Sequence, residues 1–464
     1  MRRKLFLFSI MVLVILLFLT AAFFLFVTIA EYRPKAVEKA DIKKSAKEQL
    51  LKTDEALKVL NWNIGYCGLD AQNDFFYDGG KNVIARSKEA VLNNLGKVKE
   101  LLKKEDCSFN LLQEIDIKSK RSFYVNQKKA LSDFFTDYDS VFAANYDALI
   151  VPAPILNPLG RVKSGIFTLS KYGIQKAERL QLPGTFSWPL KTVNLKRCLL
   201  VSEIKTDVQG KNLYIINLHL SAYDAAGVLR KQEMEFLQNL ALKLYNEGHW
   251  VIAGGDWNSL FPGVGKDQFK PYTTPKEFLE WIEYSPADFI GKDWKWGFDS
   301  STPTVRLLEK PYVKGENYTT IIDGFICSPN VEIIGVKTGD LNFAKLGECI
   351  SRVEDLNIVL PARYNEDLFY LSDNELTKFM NDILSANHFE IIVIDFGSIG
   401  RRSMQILDMC EKIFCPVIGE NNSVEMTKIS EFKSLLGRNG YAEIIHKIYE
   451  IRLPKEDILA DIFN

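Results

Sequence analysis

Five apolar runs along the chain each end in polar side chains. They lie at residues 58–63, 109–114, 213–219, 251–258 and 320–325. Short apolar runs that are bounded by polar loops are typical of buried β-strands. We therefore predict five strands, each of which brings a carboxylate, an amide or an imidazole to an edge of a sheet.

Two segments between these runs carry apolar residues at helical spacing. They are residues 87–104 and 230–246, and the pattern predicts amphipathic helices. A few helices among many short strands favour a layered α/β sandwich over a parallel β-α-β repeat. The fold class that we predict for the main domain, residues 56–343, is therefore α/β.

The N-terminal segment, residues 5–30, contains no charged side chain. A helix of this length can span a hydrocarbon core of roughly 30 Å. Basic residues at positions 2–4 precede it, so the positive-inside rule places the N-terminus in the cytoplasm and the main domain outside it. We predict that residues 1–30 form a transmembrane signal anchor of a single-pass cell-membrane protein. The alternative is a signal peptide that is cleaved at the small residues 28–30.

The amino-acid composition helps to delimit the segments of the chain, but it does not indicate a function. Residues 31–55 are rich in charged residues and poor in aromatic ones, which predicts a charged linker; a first helix of the main domain is the alternative. The net charge of −1 gives no electrostatic argument for nucleic acid. Seven cysteines without a Cys-x-x-Cys pair argue against a structural zinc site and a dense disulfide framework.

The polar strand ends resemble the signature of the endonuclease/exonuclease/phosphatase superfamily across residues 56–343. The most specific match is the segment 254–258, Gly-Gly-Asp-Trp-Asn, and Gln113-Glu114 is a second. The resemblance implies a four-layer α/β sandwich. It also implies cleavage of phosphoester bonds with Mg²⁺ or Mn²⁺, hard cations that take oxygen ligands. A phosphate ester of a lipid, a nucleic acid or a small molecule would be the substrate.

The resemblance assigns roles to nine residues. Glu114 would bind the metal with support from Asn63, and Asp256 would activate the attacking water. The glycines before Asp256 allow a close turn, and Asn258, two positions further on, faces the same side of an extended backbone. The full set is Glu114 and Asn63 for the metal; His219, Asp256, Asn258 and Asp323 for catalysis; and Asn217, Ser164 and Arg306 for substrate binding.

The triplet Ser-Asp-His that closes this superfamily's pattern is absent. The sequence resembles the family through Phe343, and the later Ser372-Asp373-Asn374 lacks the imidazole. The sandwich should therefore lack its last strand, which leaves a sheet edge unpaired. Asp323 would lose the histidine that it normally orients, and general acid–base partners contribute about 10²–10⁴-fold in rate.

Two functions follow from this sequence. The first is a membrane-anchored, divalent-metal-dependent phosphoesterase that is impaired by the missing histidine. The alternative is a catalytically dead phosphate-binding or assembly protein that keeps the pocket without turnover. Membrane anchoring favours a lipid or an extracellular phosphodiester as the substrate.

The C-terminal segment, residues 356–464, has a different pattern. Apolar runs at 389–397, 412–417 and 449–454 alternate with helical patterns, including one at 423–436, which predicts a parallel β-α-β unit. The segment resembles the C-terminal half of ParA/MinD-type pilus-assembly ATPases, with Asp395 at the position near the nucleotide's metal. This implies an ATPase-like assembly partner. A phosphate-binding Gly-x-x-x-x-Gly-Lys-[Ser/Thr] loop does not occur in the chain.

Overall fold

The computed structural model describes most of the first 338 residues and short parts of the remainder. The described residues are 2–338, except 48, 54–55, 223–226, 267, 270–284, 288 and 292, and then 352–353, 356–357, 413–418, 430, 432–434, 436 and 442–453. The chain divides into two units, Met1–Cys349 and Ile350–Asn464.

The described part of the first unit contains helices and strands in mixed order. The helices are α1 (Arg2–Ile29), α2 (Lys88–Glu105), α3 (Gln127–Phe134) and α4 (Val228–Asn246). The strands are β1 (Val37–Lys39), β2 (Ile42–Lys43), β3 (Val59–Asn63), β4 (Phe109–Asp116), β5 (Asp139–Val151), β6 (Gly160–Ser170), β7 (Ile174–Gln181), β8 (Cys198–Lys205), β9 (Asn212–His219), β10 (Trp250–Asp256), β11 (Lys295–Gly297), β12 (Val305–Arg306), β13 (Thr319–Thr320) and β14 (Asp323–Cys327).

The longer strands form two mixed sheets. The first sheet has the order β1-β7-β8-β9-β10-β14-β11, and the second has the order β2-β5-β6-β4-β3. The pairs β9–β10 and β3–β4 are parallel, whereas β10–β14 and β4–β6 are antiparallel. Such mixed sheets need helices or another sheet on both faces to bury their apolar side chains.

Apolar side chains fill the three interfaces between the four layers in the described part of the first unit. Between the sheets, side chains such as Leu111 and Ile166 of the second sheet meet Leu200 and Ile215 of the first. Helices α2 and α3 cover the outer face of the second sheet, and α4 covers the outer face of the first. The four-layer α/β sandwich predicted from the sequence is therefore confirmed for the described part of the first unit.

Both helices predicted from apolar spacing form at the expected places. The Ser87 side chain caps α2 by accepting a hydrogen bond from the Ala90 N–H, which satisfies one of the donors left free at a helix start. Asp106 ends this helix in the left-handed conformation with φ 46°. Four of the five predicted strands coincide with β3, β4, β9 and β10, while the fifth run divides between β13 and β14.

Residues 31–55 do not form the spacer that their composition predicts. Within this segment β1 pairs with β7 and β2 pairs with β5, so it supplies an edge strand to each sheet. Ala40, between the two strands, is 5% exposed and belongs to the core between the sheets. Apolar side chains scattered among charged ones suffice for strands this short, because only one face needs to be buried.

The sheet edge beyond β14 is partly covered. Residues 295–297 of β11 pair with residues 325–327 of β14, where the sequence predicted an unpaired edge. Residues 339–351, which follow the last family-like segment, and Ser372-Asp373-Asn374 lie outside the described residues.

Helix α1 is long and apolar enough to cross a membrane, with a candidate span at Leu5–Ile29. This judgement rests on length and composition, and a signal sequence near an N-terminus passes the same test. The residues 5–22 are all exposed.

The second unit contains two described strand pairs. Strands β15 (Arg352–Val353) and β16 (Leu356–Asn357) are antiparallel, and β17 (Ile413–Ile418) and β18 (Ile448–Leu453) are parallel. Strands β17 and β18 thus lie at the runs predicted at 412–417 and 449–454 and are parallel to each other, while the predicted β-α-β unit as a whole stays a prediction. The predicted run at 389–397, with Asp395, lies outside the described residues.

Candidate active site

The polar strand ends meet at one edge shared by the two sheets. In the first sheet Asp256 pairs in register with His219 of β9 and with Asp323 of β14. Asp323 begins its strand, but because β14 runs antiparallel to β10 it reaches the same edge. In the second sheet Asn63 pairs with Gln113. The structure thus brings together five of the strand-end positions that the sequence singled out.

Asn63 joins the carboxylates of the two sheets. Its Nδ2 atom donates to Glu114 Oε1 at 3.3 Å and to Asp256 Oδ2 at 3.0 Å. Its Oδ1 atom accepts from the Gly65 N–H at 3.0 Å, which fixes the orientation of the amide. The predicted metal ligand and the predicted base therefore lie on either side of one amide group.

Glu114 reaches the site through an irregularity of β4. The pairing of β4 with β6 shifts register between Leu112 and Ile115, and Glu114 has φ 57°. A bulge of this kind re-aims a side chain, and positive φ is uncommon for residues other than glycine. The Glu114 side chain is 23% exposed, and its Oε2 atom lies 3.3 Å from NH1 of Arg121.

Asp256 lies at the end of β10, which packs closely against β9. A Cβ atom on Gly255 would lie 1.9 Å from the Leu218 carbonyl oxygen of β9, so a side chain there is excluded. Past the strand end, the Asn258 N–H donates to Asp256 Oδ1 at 2.9 Å. Asn258 Nδ2 donates to the Leu220 carbonyl at 2.8 Å, and Asn258 is 5% exposed.

A layer of amides ties the sheets together beneath the carboxylates. Gln113 Nε2 donates to Asn61 Oδ1 at 2.8 Å and to Asn217 Oδ1 at 2.9 Å. Asn217 in turn donates to the Phe167 carbonyl at 3.0 Å and is fully buried. It lies two residues before His219, about 7 Å deeper along the strand. These contacts engage the Asn217 amide, and its role in substrate binding stays a prediction.

Two buried carboxylates face each other across β10 and β14. Burial raises the pKa of Asp256 to about 6, while hydrogen bonds from Asn63 and the Asn258 backbone oppose the rise. Burial and the charge of Asp256 raise the pKa of Asp323 well above its usual value. The Asp323 Oδ1 atom is buried without a hydrogen-bond partner among the described residues. The two carboxyl groups therefore favour a single negative charge between them.

His219 is a neutral imidazole at this edge. Burial, followed by the charges of Arg197 and Arg121, lowers its pKa well below the usual value. Its Nε2 atom lies 3.5 Å from Asp256 Oδ2, and Nδ1 has no hydrogen-bond partner among the described residues. Because a neutral ring carries one N–H, His219 can donate one hydrogen bond and accept another.

Arg197 lies at the same edge of the first sheet, although its sequence context did not indicate this. It precedes β8, in which Leu199 pairs with Leu218 of β9, and burial lowers its pKa against the opposing charges of Glu233, Asp256 and Glu114. Its NH1 atom is buried without a hydrogen-bond partner in the described part of the chain. A lone arginine beside a lysine usually indicates a solvated loop, so the sequence offered little signal for it.

Arg121 was also not predicted from the sequence, and it is the hydrogen-bond partner of Ser164. Its guanidinium forms two hydrogen bonds to Asp116, at 3.2 and 3.0 Å, and stacks 4.0 Å from the Tyr66 ring centroid. Asp116 and Glu114 outweigh the effect of burial and raise the pKa of Arg121. Ser164 is 2% exposed and accepts from Arg121 NH2 at 3.2 Å. Ser164 thus supports Arg121, where a phosphate contact was expected.

Arg306 is engaged away from the carboxylates. Its guanidinium donates to the carbonyl oxygens of Lys310 at 3.1 Å, Asp70 at 3.0 Å and Asn73 at 2.8 Å. It therefore joins two loops of the first unit. These backbone contacts engage its guanidinium, and the phosphate contact of Arg306 stays a prediction.

The oxygen ligands at this edge fit a hard divalent cation such as Mg²⁺. Among the described residues no group of three or more His, Cys, Asp or Glu side chains is arranged to hold a metal. Mg²⁺, however, is commonly held by one or two carboxylates with water and substrate phosphate completing its shell. Glu114, which is bonded to Asn63, offers such an oxygen ligand, and the predicted base Asp256 is bonded to the same amide.

Comparisons with known proteins extend these observations. No family model matches the chain, and no curated protein matches it. Among solved structures, a truncated TDP2 from Caenorhabditis elegans is 16% identical with a TM-score of 0.37, covering 62% of this chain and 90% of its own. An endonuclease/exonuclease/phosphatase from Beutenbergia cavernae is 16% identical with a TM-score of 0.35, covering 59% and 64%. ANGEL2, a 2',3'-cyclic phosphatase, is 12% identical with a TM-score of 0.38, covering 63% and 87%. At these identities the similarity concerns the fold alone.

Proposed function

We propose that the first unit is a divalent-metal-dependent phosphoesterase of the endonuclease/exonuclease/phosphatase type. The observation that carries the proposal is the Asn63 amide, which holds Glu114 of one sheet and Asp256 of the other around one point. His219 Nε2 lies 3.5 Å from Asp256 Oδ2, and Arg197, whose NH1 has no hydrogen-bond partner among the described residues, precedes β8 at the same edge of the first sheet. A carboxylate for a hard cation and a base thus lie near donors for phosphoryl oxygens.

Each residue has a chemical task in this proposal. A bound Mg²⁺ or Mn²⁺ would polarise a phosphoryl oxygen and lower the pKa of water. Asp256, whose pKa is raised to about 6, accepts the proton of the attacking water. Arg197 neutralises charge on the phosphoryl oxygens. His219 donates its single N–H to the ester, and Asn258 holds Asp256 through its backbone N–H.

A second candidate function is phosphate-ester binding without turnover. Two observations favour it: the Asp323 carboxylate has an oxygen without a partner among the described residues, and Arg121 already pairs with Glu114. An impaired enzyme and a binding protein differ in whether product forms.

Membrane anchoring through α1 is part of the proposal. The span Leu5–Ile29 is long enough, and basic residues 2–4 favour a cytoplasmic N-terminus by the positive-inside rule. The first unit would then act outside the cytoplasm on a phosphate ester. An ATPase-like partner of the second unit rests on sequence resemblance alone, and failure of the full chain to bind such an ATPase would remove it.

Hydrolysis of bis-p-nitrophenyl phosphate by the full chain in detergent tests the enzyme proposal. We expect product with Mg²⁺ or Mn²⁺, loss of product with EDTA, and loss in Glu114→Gln. Glu203→Gln is the matched control, because Glu203 lies on β8 and binds Asn212. Turnover that persists in EDTA or in Glu114→Gln would refute the metal role. Binding of the ester without product would favour the second candidate.

A further inference from the structure

The end of α1 is seated on a loop of the first unit, residues 185–191, which we call the docking loop. The Trp188 ring lies 5.4 Å from the Phe24 ring, and Trp188 Nε1 donates to Thr28 Oγ1 at 3.1 Å. Just past the helix, Glu31 pairs with Lys196 at 2.6 Å. The helix and the loop are therefore fixed to each other at the level of residues 24–31.

The length of α1 decides where a membrane would meet this loop. The residues 5–22 are exposed, and these 18 residues rise about 27 Å as a helix. A hydrocarbon core of roughly 30 Å is slightly thicker. If α1 spans the bilayer from residue 5, the apolar core must reach about Phe24, the residue that contacts Trp188.

The docking loop has the chemistry of a membrane interface at this level. Trp188 is 54% exposed and Leu190 is 58% exposed, although both belong to a folded loop. Tryptophan is enriched where membranes meet water, because its ring is apolar and its N–H is polar. Arg33, whose side chain is 63% exposed, lies just beyond, where its charge can reach lipid headgroups.

We propose that the docking loop embeds in the interface of the bilayer that α1 spans, with Trp188 and Leu190 as its apolar anchors. This inference rests on the proposed membrane anchoring, and it does not depend on catalysis. The loop leads through Lys196 to Arg197 of the candidate site. Embedding therefore holds the domain against the membrane in one orientation, with Arg197 six residues from the end of the loop.

Fluorescence quenching by brominated lipids tests the proposal with the full chain in phosphatidylcholine vesicles. Helix α1 contains no tryptophan, so each tryptophan signal comes from outside α1. Lipids brominated near the headgroup end of the acyl chain should quench wild type more than lipids brominated at its middle. Trp188→Phe should lose most of this quenching. Trp250→Phe should keep it, since Trp250 is partly buried beneath Lys211.

Separate measurements distinguish the possible failures. Equal quenching in wild type and Trp188→Phe, with the protein still resistant to carbonate extraction, would overturn docking and leave the anchor standing; the loop would then face another partner, such as a second copy of the chain. Release by carbonate would overturn the anchor and the docking together. Phosphodiester hydrolysis, assayed in detergent, reports on the active site independently of both.

Discussion

Arg121→Met removes a guanidinium that is buried against two carboxylates. The Arg121 side chain is 8% exposed, and that of its partner Asp116 is fully buried. The substitution keeps an unbranched side chain of similar length but removes the hydrogen bonds to Asp116 and Ser164 and the ion pair with Glu114. Asp116 would keep the Ser122 hydroxyl at 2.7 Å while losing its compensating charge.

The expected cost follows from burial. Breaking a buried ion pair by removing one partner costs about 3–5 kcal/mol, because the remaining charge is left uncompensated. An unfolding entropy of about 2 cal/mol/K per residue over the unit Met1–Cys349 converts this cost to a fall of about 4–7 °C in Tm. Removing the charge of Asp116 as well, in Arg121→Met/Asp116→Asn, should recover part of the loss.

Thermal unfolding followed by tryptophan fluorescence measures this effect. All seven tryptophans lie between Trp62 and Trp296, so the signal reports on the first unit. Arg86→Met is the matched control: Arg86 also forms two hydrogen bonds to a carboxylate, that of Asp70, but it is 39% exposed and should cost at most about 1 kcal/mol. A fall in Tm for Arg121→Met no larger than that for Arg86→Met would refute the reasoning.

Two further predictions concern the site and its support. Arg197→Gln should lower kcat/KM for bis-p-nitrophenyl phosphate by about 10²–10³-fold through the loss of a charged donor, and Arg197→Lys should lose less; equal activity of Arg197→Gln and wild type would contradict the assignment. Gly255→Ala should lower the free energy of unfolding of the first unit, measured in urea, by about 1–3 kcal/mol, because its Cβ would lie 1.9 Å from the Leu218 carbonyl oxygen. Gly96→Ala in α2, where a Cβ meets nothing within 4 Å, should instead stabilise it by up to about 1 kcal/mol; an unchanged urea midpoint for Gly255→Ala would contradict the packing argument.

The sequence predicted the strand ends because burial and chemistry coincide there. When an apolar run ends in Asp256 or His219, an extended strand buries the run and leaves the polar side chain at the edge of the sheet. The fifth run shows the limit of this reasoning: Asp323 begins β14 and reaches the site because β14 is antiparallel to β10. Direction along a strand cannot be read from a short apolar run alone.

Residues that depend on tertiary contacts could not be predicted in the same way. Arg197 lies at this edge because the start of β8 pairs with the end of β9, and an isolated arginine carries no periodic signal. Arg306 and Ser164 lie in segments that resemble the superfamily, yet their partners are backbone carbonyls and Arg121. The bulge that re-aims Glu114 is likewise a property of the pairing between β4 and β6.

The pairing of Glu114 and Asp256 around Asn63 is the central claim, and Mn²⁺-dependent hydrolysis by wild type and Asp256→Asn tests it most directly. Asn keeps the shape of the side chain but removes the base. We predict metal-dependent formation of p-nitrophenol from bis-p-nitrophenyl phosphate by wild type, and a fall of at least about 10²-fold in kcat for Asp256→Asn with the fold intact by circular dichroism. Product formation at the wild-type rate in Asp256→Asn would contradict the account.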